Sequence, residues 1–236
     1  MKLSIIICAY NERRTILEAI HQTHAIDLGA GWEKEIIVVD NFSTDGTREL
    51  LRTVDLPDVR VVFHPQNLGK GASVRTGIAE ADGDYFVIFD ADLEYDANDL
   101  PRLAAQVASD ETVAVFGSRT LGGRKIYKYA KNYWGIRFLT LVANVLYGGQ
   151  LTDIAVGPKL VRLDVARSLD LDGSGFDLDF ELPCKLLKCG YRIHEVPIAY
   201  HPRTVEEGKK LSTPFRTGFR ALWVIVKTRF GGYSGR

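Results

Sequence analysis

The chain has 236 residues, 46% of them hydrophobic and 25% charged, which is long enough to bury a large core in one big α/β domain or two small ones. Lys plus Arg total 30 and Asp plus Glu total 30, so net charge selects no partner and nucleic acid is not expected as one. No apolar run reaches the ~20 residues of a membrane-spanning helix, and the N-terminus lacks a signal-peptide pattern. Cys8, Cys184 and Cys189 are odd in number and lack zinc-like spacing, which fits a reducing, cytoplasmic setting.

In chain order, short runs rich in Val and Ile predict strands at Leu3–Ala9, Glu35–Val39, Val59–Phe63, Tyr85–Phe89 and Val113–Phe116. They are continuously apolar rather than alternating, as strands covered on both faces should be. Helical patterns separate them. Ile16, Leu17 and Ile20 share a face, and Ser43 or Thr44 is placed to cap a helix carrying Leu50 and Leu51. Another helix is expected to start near Gly71, and one near Asn98 carries Leu100, Leu103 and Val107. Strand alternating with helix implies an α/β fold with a mainly parallel central sheet flanked by helices.

The back half is basic. No acidic residue falls between Glu111 and Asp153, where Arg119, Arg124, Lys125, Lys128, Lys131 and Arg137 lie. Near the C-terminus, Phe215, Phe219, Leu222 and Val226 form a helical stripe with Trp223 beside it, bordered by Arg216, Arg220, Lys227 and Arg229. The expected organisation is one domain over 1–212 and a short basic amphipathic helix over 213–230, followed by a frayed tail at 231–236. That helix suits a peripheral contact with an anionic membrane surface; packing on the protein itself, or on a second subunit of a homo-oligomer, is the competing expectation.

In open α/β sheets ligands bind beyond the carboxyl ends of the strands, and the polar clusters fall there. Strand one ends in Ala9-Tyr10-Asn11-Glu12, and strand two ends in the polar string from Asp40 to Thr47. The third is followed by Asn67-Leu68-Gly69-Lys70-Gly71, and the fourth by Asp90-Ala91-Asp92-Leu93-Glu94. Neither a Gly-x-Gly-x-x-Gly after strand one nor a phosphate-binding Gly-x-x-x-x-Gly-Lys-Ser/Thr occurs. Asp90 and Asp92, two apart at a strand end, project to one side and can share Mg²⁺ or Mn²⁺, with Glu94 as a third oxygen donor. Such an ion keeps positions open for diphosphate oxygens and neutralises charge on a departing nucleoside diphosphate. Asp40, Tyr10 and Glu12 are placed to meet a nucleoside, and the glycines around Lys70 to let backbone approach a ligand.

These strings, with Gly117-Ser118-Arg119, the run from Gly175 to Leu182, and Glu195-Val196-Pro197-Ile198, resemble family-2 glycosyltransferases of the GT-A fold. Within that family the chain is most similar to the polyprenyl-phosphate sugar synthases, the dolichyl-phosphate mannose synthase type. The resemblance implies an inverting hexose transfer from a GDP-mannose- or UDP-glucose-type donor to a polyprenyl or dolichyl phosphate. It implies a metal at Asp90, Asp92 and Glu94, and a donor site of Ala9, Tyr10, Glu12, Asp40, Asn67, Gly71, Asp90 and Ala91. The acceptor phosphate would meet Arg119, Lys128, Asn132, Arg203 and Lys209. Asp92, Arg119, Asp153 and Arg203 form the expected catalytic set.

Three positions depart from the family pattern. Asn41 and bulky Phe42 follow Asp40, where a second Asp and a small residue are usual. Asp153-Ile154-Ala155-Val156-Gly157-Pro158 replaces an Asp-x-x-Ser-Gly-Phe string, and Lys128 with Asn132 replaces an Arg/Ser pair. The last two lie on the acceptor half. A hydroxyl acceptor on a glycan, protein or small molecule needs a carboxylate base, for which Asp153, Asp177, Asp179 and Glu181 are the candidates. A phosphate acceptor needs cations instead, and the acid-free stretch favours it. A nucleotidyltransferase would show a glycine-rich basic loop after strand one, where this chain has Ala9-Tyr10-Asn11-Glu12.

Overall fold

The computed structural model describes residues 1–107, 111–121, 130–203 and 214–231, the side chains of 130–132 and 214–216 excepted. Seven strands form one sheet: β1 (Lys2–Ala9), β2 (Glu33–Asp40), β3 (Val59–Phe63), β4 (Tyr85–Asp90), β5 (Ala114–Ser118), β6 (Lys159–Arg162) and β7 (Ile193–Pro197). Their order is β3-β2-β1-β4-β6-β5-β7. The first four strands are mutually parallel, β5 and β7 pair in parallel, and β6 runs antiparallel to both β4 and β5. The sheet is therefore mainly parallel, as the alternation of strand and helix predicts.

All five predicted strands are present, and β6 and β7 are additional. Their sequences explain why. Lys-Leu-Val-Arg is four residues with a cation at each end, and Ile-His-Glu-Val-Pro is an edge strand closing on proline. Neither offers a continuous apolar run.

Eight α-helices accompany the sheet among the described residues: α1 (Ile16–Ala25), α2 (Thr47–Leu51), α3 (Lys70–Glu80), α4 (Leu100–Ala104, entered through a 3-10 turn at Ala97–Asp99), α5 (Ala130–Tyr147), α6 (Leu163–Ser168), α7 (Leu178–Lys188) and α8 (Pro214–Phe230). The α2 start differs from expectation. Gly46, at φ 99°, is its N-cap, and neither Ser43 nor Thr44 caps it. Both are used instead to join the loops after β1 and β2: Asn11 N–H donates to Ser43 Oγ at 2.9 Å, and Thr44 N–H donates to Asn11 Oδ1 at 2.8 Å.

The main core lies around β1, β2 and β4, where Ile5, Ile6, Ile7, Val38, Val87 and Ile88 are fully buried. A second core joins α5, α7 and α8 through Leu139, Ala143, Phe180, Cys184, Ala221 and Ile225. α8 thus buries one face on α5 and α7. Its other side leaves Phe219 and Trp223 exposed, with Leu222 and Val226 half-buried. Three of the flanking cations are engaged, the Arg216 side chain lying outside the described residues: Arg220 pairs with Asp177 at 3.1 Å, Lys227 lies 3.6 Å from Asp172, and Arg229 lies over the Tyr147 ring. α5 carries an outward stripe that the sequence reading did not single out: Trp134, Phe138, Leu141 and Val145, at helical spacing and 55–75% exposed. Among the described residues no helix is long and apolar enough to cross a membrane.

Candidate active site

Strand order creates the site. β2 lies on one side of β1 and β4 on the other, so the chain reverses direction of growth at β1, and a crevice opens beyond the strand ends there. Register aligns those ends: Ala9 pairs with Asp40, and Cys8 with Asp90. Backbone in the left-handed region follows each of the three strands, at Asn11 (φ 54°), Phe42 (φ 65°) and Leu93 (φ 58°). For side chains as large as Phe42 and Leu93 this costs on the order of 1 kcal/mol or more each, and it persists only where surrounding contacts enforce it.

The nucleoside side is built first. Asp40 is fully buried and accepts from Ser43 N–H, with Arg48 Nε 3.4 Å away, so its carboxylate organises its own loop. Asn41, one of the departures from the family pattern, orders the next loop. Its Oδ1 accepts from Leu68 N–H at 2.8 Å and contacts the buried His64 ring, while its Nδ2 donates to Asn67 Oδ1 at 2.9 Å. Tyr10 is exposed at the crevice, and Phe42 stacks beneath the Arg48 guanidinium. Gly69 and Gly71 let backbone approach backbone. A Cβ on Gly69 would lie 2.3 Å from Ser174 O, and one on Gly71 would lie 2.5 Å from Gly173 O. Their lack of side chains lets the start of α3 pack on the 173–175 backbone, to which Ala72 N–H donates at 3.1 Å.

The carboxylates at and just beyond the end of β4 are met by donors from other elements. Asp90 Oδ1 lies 2.8 Å from Lys70 Nζ, which is 3.5 Å from Asp179; Asp179 in turn is 3.5 Å from the fully buried Lys159. Charges alternate along this chain, from the sheet interior out to the crevice. Burial works against the Lys70 cation, but Asp179 and Asp90 more than offset it and hold its pKa well above the usual lysine value. Burial likewise opposes the Asp179 carboxylate, and Lys70 and Lys159 still hold it below the usual range. Asp92 is pushed up to about 7 by burial and by repulsion from Asp90 and Glu94. Arg203 answers it: the guanidinium donates to Glu12 at 2.9 and 3.3 Å and to Asp92 at 3.3 Å. Glu94, the expected third metal ligand, has both oxygens engaged, one by Tyr200 O–H at 2.7 Å and the other by Arg203 N–H at 2.9 Å. Among the described residues no three acidic, His or Cys side chains converge as a metal cluster.

Arg119 and Asp153 pair with each other, and the Arg119 guanidinium also lies over the ring of Tyr200, the residue that donates to Glu94. Arg119 Nε and Nη2 donate to the two Asp153 oxygens at 2.7 and 2.8 Å, and both residues are buried. Burial opposes the Asp153 charge, yet Arg119 holds its carboxyl below the usual range. Glu195 carries the loop from below, accepting from Thr152 N–H at 2.7 Å and Asp153 N–H at 3.1 Å. Glu181 fastens the 172–173 turn, and Asp177 accepts from Gly175 N–H at 2.6 Å. Of the four carboxylates considered as a base, Asp179 is the one linked to Asp90, through Lys70. Lys128 and Lys209 lie outside the described residues, as does the Asn132 side chain. Lys70 and Lys159 were absent from the expected site. A lone lysine between glycines and a lysine opening a four-residue strand carry no local signal of the partners that folding brings to them.

A mainly parallel sheet with Asp90 and Asp92 at its reversal point, faced by internal cations, defines a GT-A-type nucleotide-sugar transferase fold. The chain belongs to glycosyl transferase family 2, whose sequence pattern matches residues 4–169. It is 29% identical to the undecaprenyl-phosphate mannosyltransferase of Micrococcus luteus over 98% of this chain and 100% of that one. It is also 29% identical to the dolichol-phosphate mannosyltransferase of Pyrococcus furiosus, covering 96% of this chain but 64% of the relative. Among solved structures, glucosyl-3-phosphoglycerate synthase from Mycobacterium tuberculosis in complex with uridine-diphosphate aligns with a TM-score of 0.74 at 19% identity, over 99% of this chain and 82% of that one. A complex of the same synthase with Mn²⁺, uridine-diphosphate and glucosyl-3-phosphoglycerate aligns at 0.70, with 21% identity and coverage of 99% and 82%.

Proposed function

We propose that this glycosyltransferase moves a hexose, with inversion, from a GDP-mannose- or UDP-glucose-type donor to a polyprenyl phosphate. The observation that carries this reading is the pairing of Asp90 and Asp92 with Lys70 and Arg203 at the sheet's reversal point, in a chain matched end to end by an undecaprenyl-phosphate mannosyltransferase. Asp90 and Asp92 fit Mg²⁺ or Mn²⁺. Asp90 and Glu94 repel the Asp92 carboxylate, and a divalent ion shared by Asp90 and Asp92 would relieve that repulsion. Glu94 fits less well, because Tyr200 and the Arg203 backbone hold its oxygens. The ion would supply charge neutralisation for the departing nucleoside diphosphate. Tyr10 and Glu12 would border the nucleoside, and Lys70 and Arg203 would supply positive charge on the diphosphate and acceptor side. A phosphate acceptor is already anionic and needs no base.

The acceptor reading also assigns a role to the outward stripes of α5 and α8. Trp134, Phe138, Leu141 and Val145, with Phe219 and Trp223, would rest on the lipid surface from which the acceptor is drawn. α8 contributes less charge to that contact than its sequence promises, since Asp177 and Asp172 already engage Arg220 and Lys227.

Two measurements test the reaction. Asp92→Ala should abolish Mn²⁺-dependent transfer to a polyprenyl phosphate while leaving the circular dichroism spectrum unchanged; full activity of this variant in excess EDTA would end the metal reading. The first product formed from an α-linked donor should show a β linkage by proton NMR, and an α product would remove the single-displacement mechanism.

A further inference from the structure

Arg203 is fastened at the crevice by its own backbone before its side chain makes any contact. Ala199 N–H donates to Asp99 at 2.6 Å, His201 N–H to Glu94 O at 2.8 Å, and Arg203 N–H to Glu94 Oε1 at 2.9 Å. The segment after β7 is thus stapled along the loop that carries Asp92. From there the guanidinium reaches two carboxylates from different loops, Glu12 after β1 and Asp92 after β4. Its side chain is 15% exposed, and its buried Nε has no hydrogen-bond partner among the described residues. A guanidinium in that position occupies Asp92 Oδ2, an oxygen that a divalent ion would use, and places a positive charge beside it. An arginine with one unsatisfied buried donor is also less than fully paired there, and phosphate oxygens are a better geometric match for its fork.

We propose that Arg203 is a positioning residue that acts as an internal counter-ion at Asp92, competing there with the divalent cation until an anionic diphosphate takes its hydrogen bonds. This inference rests on the assignment of Asp92 to the metal. Bare cation binds weakly because it must displace the guanidinium. Cation and nucleoside diphosphate then load together, each favouring the other by the same factor.

The test is Mn²⁺ binding without nucleotide, followed by calorimetry or by the EPR signal of free Mn²⁺, on the intact protein and on Arg203→Gln, Arg203→Met and Arg203→Lys. Folding of each is checked by circular dichroism. The two neutral variants should bind Mn²⁺ about tenfold or more tightly than the parent, as loss of a like charge at contact distance predicts even at partial screening. Arg203→Lys should stay near the parent. With saturating UDP or GDP, whichever the protein binds, the gap between parent and neutral variants should close. Neutral variants that bind Mn²⁺ no better than the parent would overturn the competition, because a merely structural arginine would not raise affinity when lost. A gap that persists with nucleotide would overturn the coupling. An Asp92→Asn control that binds Mn²⁺ like the parent would instead remove the metal assignment, and this inference with it.

Discussion

Arg119 and Asp153 show how burial decides what a charged residue does. Two of the guanidinium's donors are spent on one carboxylate, inside a region with almost no solvent access. Removing one partner of such a pair leaves the other charge buried and uncompensated, which typically costs 3–5 kcal/mol. Asp153→Asn should therefore lower stability by about 3–5 kcal/mol in denaturant titration, a loss far larger than for an exposed pair. The pH dependence has a definite sign. Asp153 titrates below its unfolded value, so the folded state holds fewer protons in that window. Its contribution is complete above about pH 4–5 and is lost as pH falls through the folded value. Thermal melts from pH 7 down to pH 3 should show the parent losing this increment, while Asp153→Asn, lacking the titrating group, loses correspondingly less.

At the scale of elements, α8 belongs to the protein before it can belong to a membrane. Ala221 and Ile225 are buried in the second core with Leu139, Ala143 and Phe180, so deleting the helix would expose that core and confuse folding with binding. Ile225→Ala should destabilise the protein by about 2–5 kcal/mol, the usual cost of emptying a buried aliphatic site. Substitutions on the outward side separate the two roles. Phe219→Ser with Trp223→Ser, or Trp134→Ser with Phe138→Ser, should leave the melting temperature nearly unchanged and reduce flotation with anionic vesicles. Binding by the parent should weaken with salt, though modestly, since two α8 cations are already paired. If the parent fails to float with anionic vesicles at low salt, the stripes serve some other contact, and the hydroxyl-acceptor reading gains ground.

Taken as a whole, the molecule has a gradient of order that follows the sheet. β1 is paired with β2 from Lys2 to Ala9 and with β4 from Leu3 to Cys8, and the middle of each of these three strands is apolar and buried. β3 and β7 are the edges, and β7 is partly polar. Native-state hydrogen exchange should accordingly be slowest at Ile5–Ile7, Val38 and Val87–Ile88, and faster by orders of magnitude in β7. Comparable protection in β7 would mean that the two halves of the sheet open as one unit.

The amino-acid sequence alone determined the strands that build this site and the ends at which its polar residues sit. Continuous Val- and Ile-rich runs are a local signal, and a parallel sheet follows from their alternation with helices. The Asp90-Ala91-Asp92 string and its neighbours were legible for the same reason, because a strand end is marked by the residues next to it in the chain. Only the tertiary structure decided which charges face one another. Lys70 meets Asp90 and Asp179, Arg203 meets Glu12 and Asp92, Arg119 closes on Asp153, and the glycines beside Lys70 serve the 173–175 backbone. Those pairings join residues far apart in sequence, and electrostatic partnership depends on distance and burial in space, which no local pattern encodes.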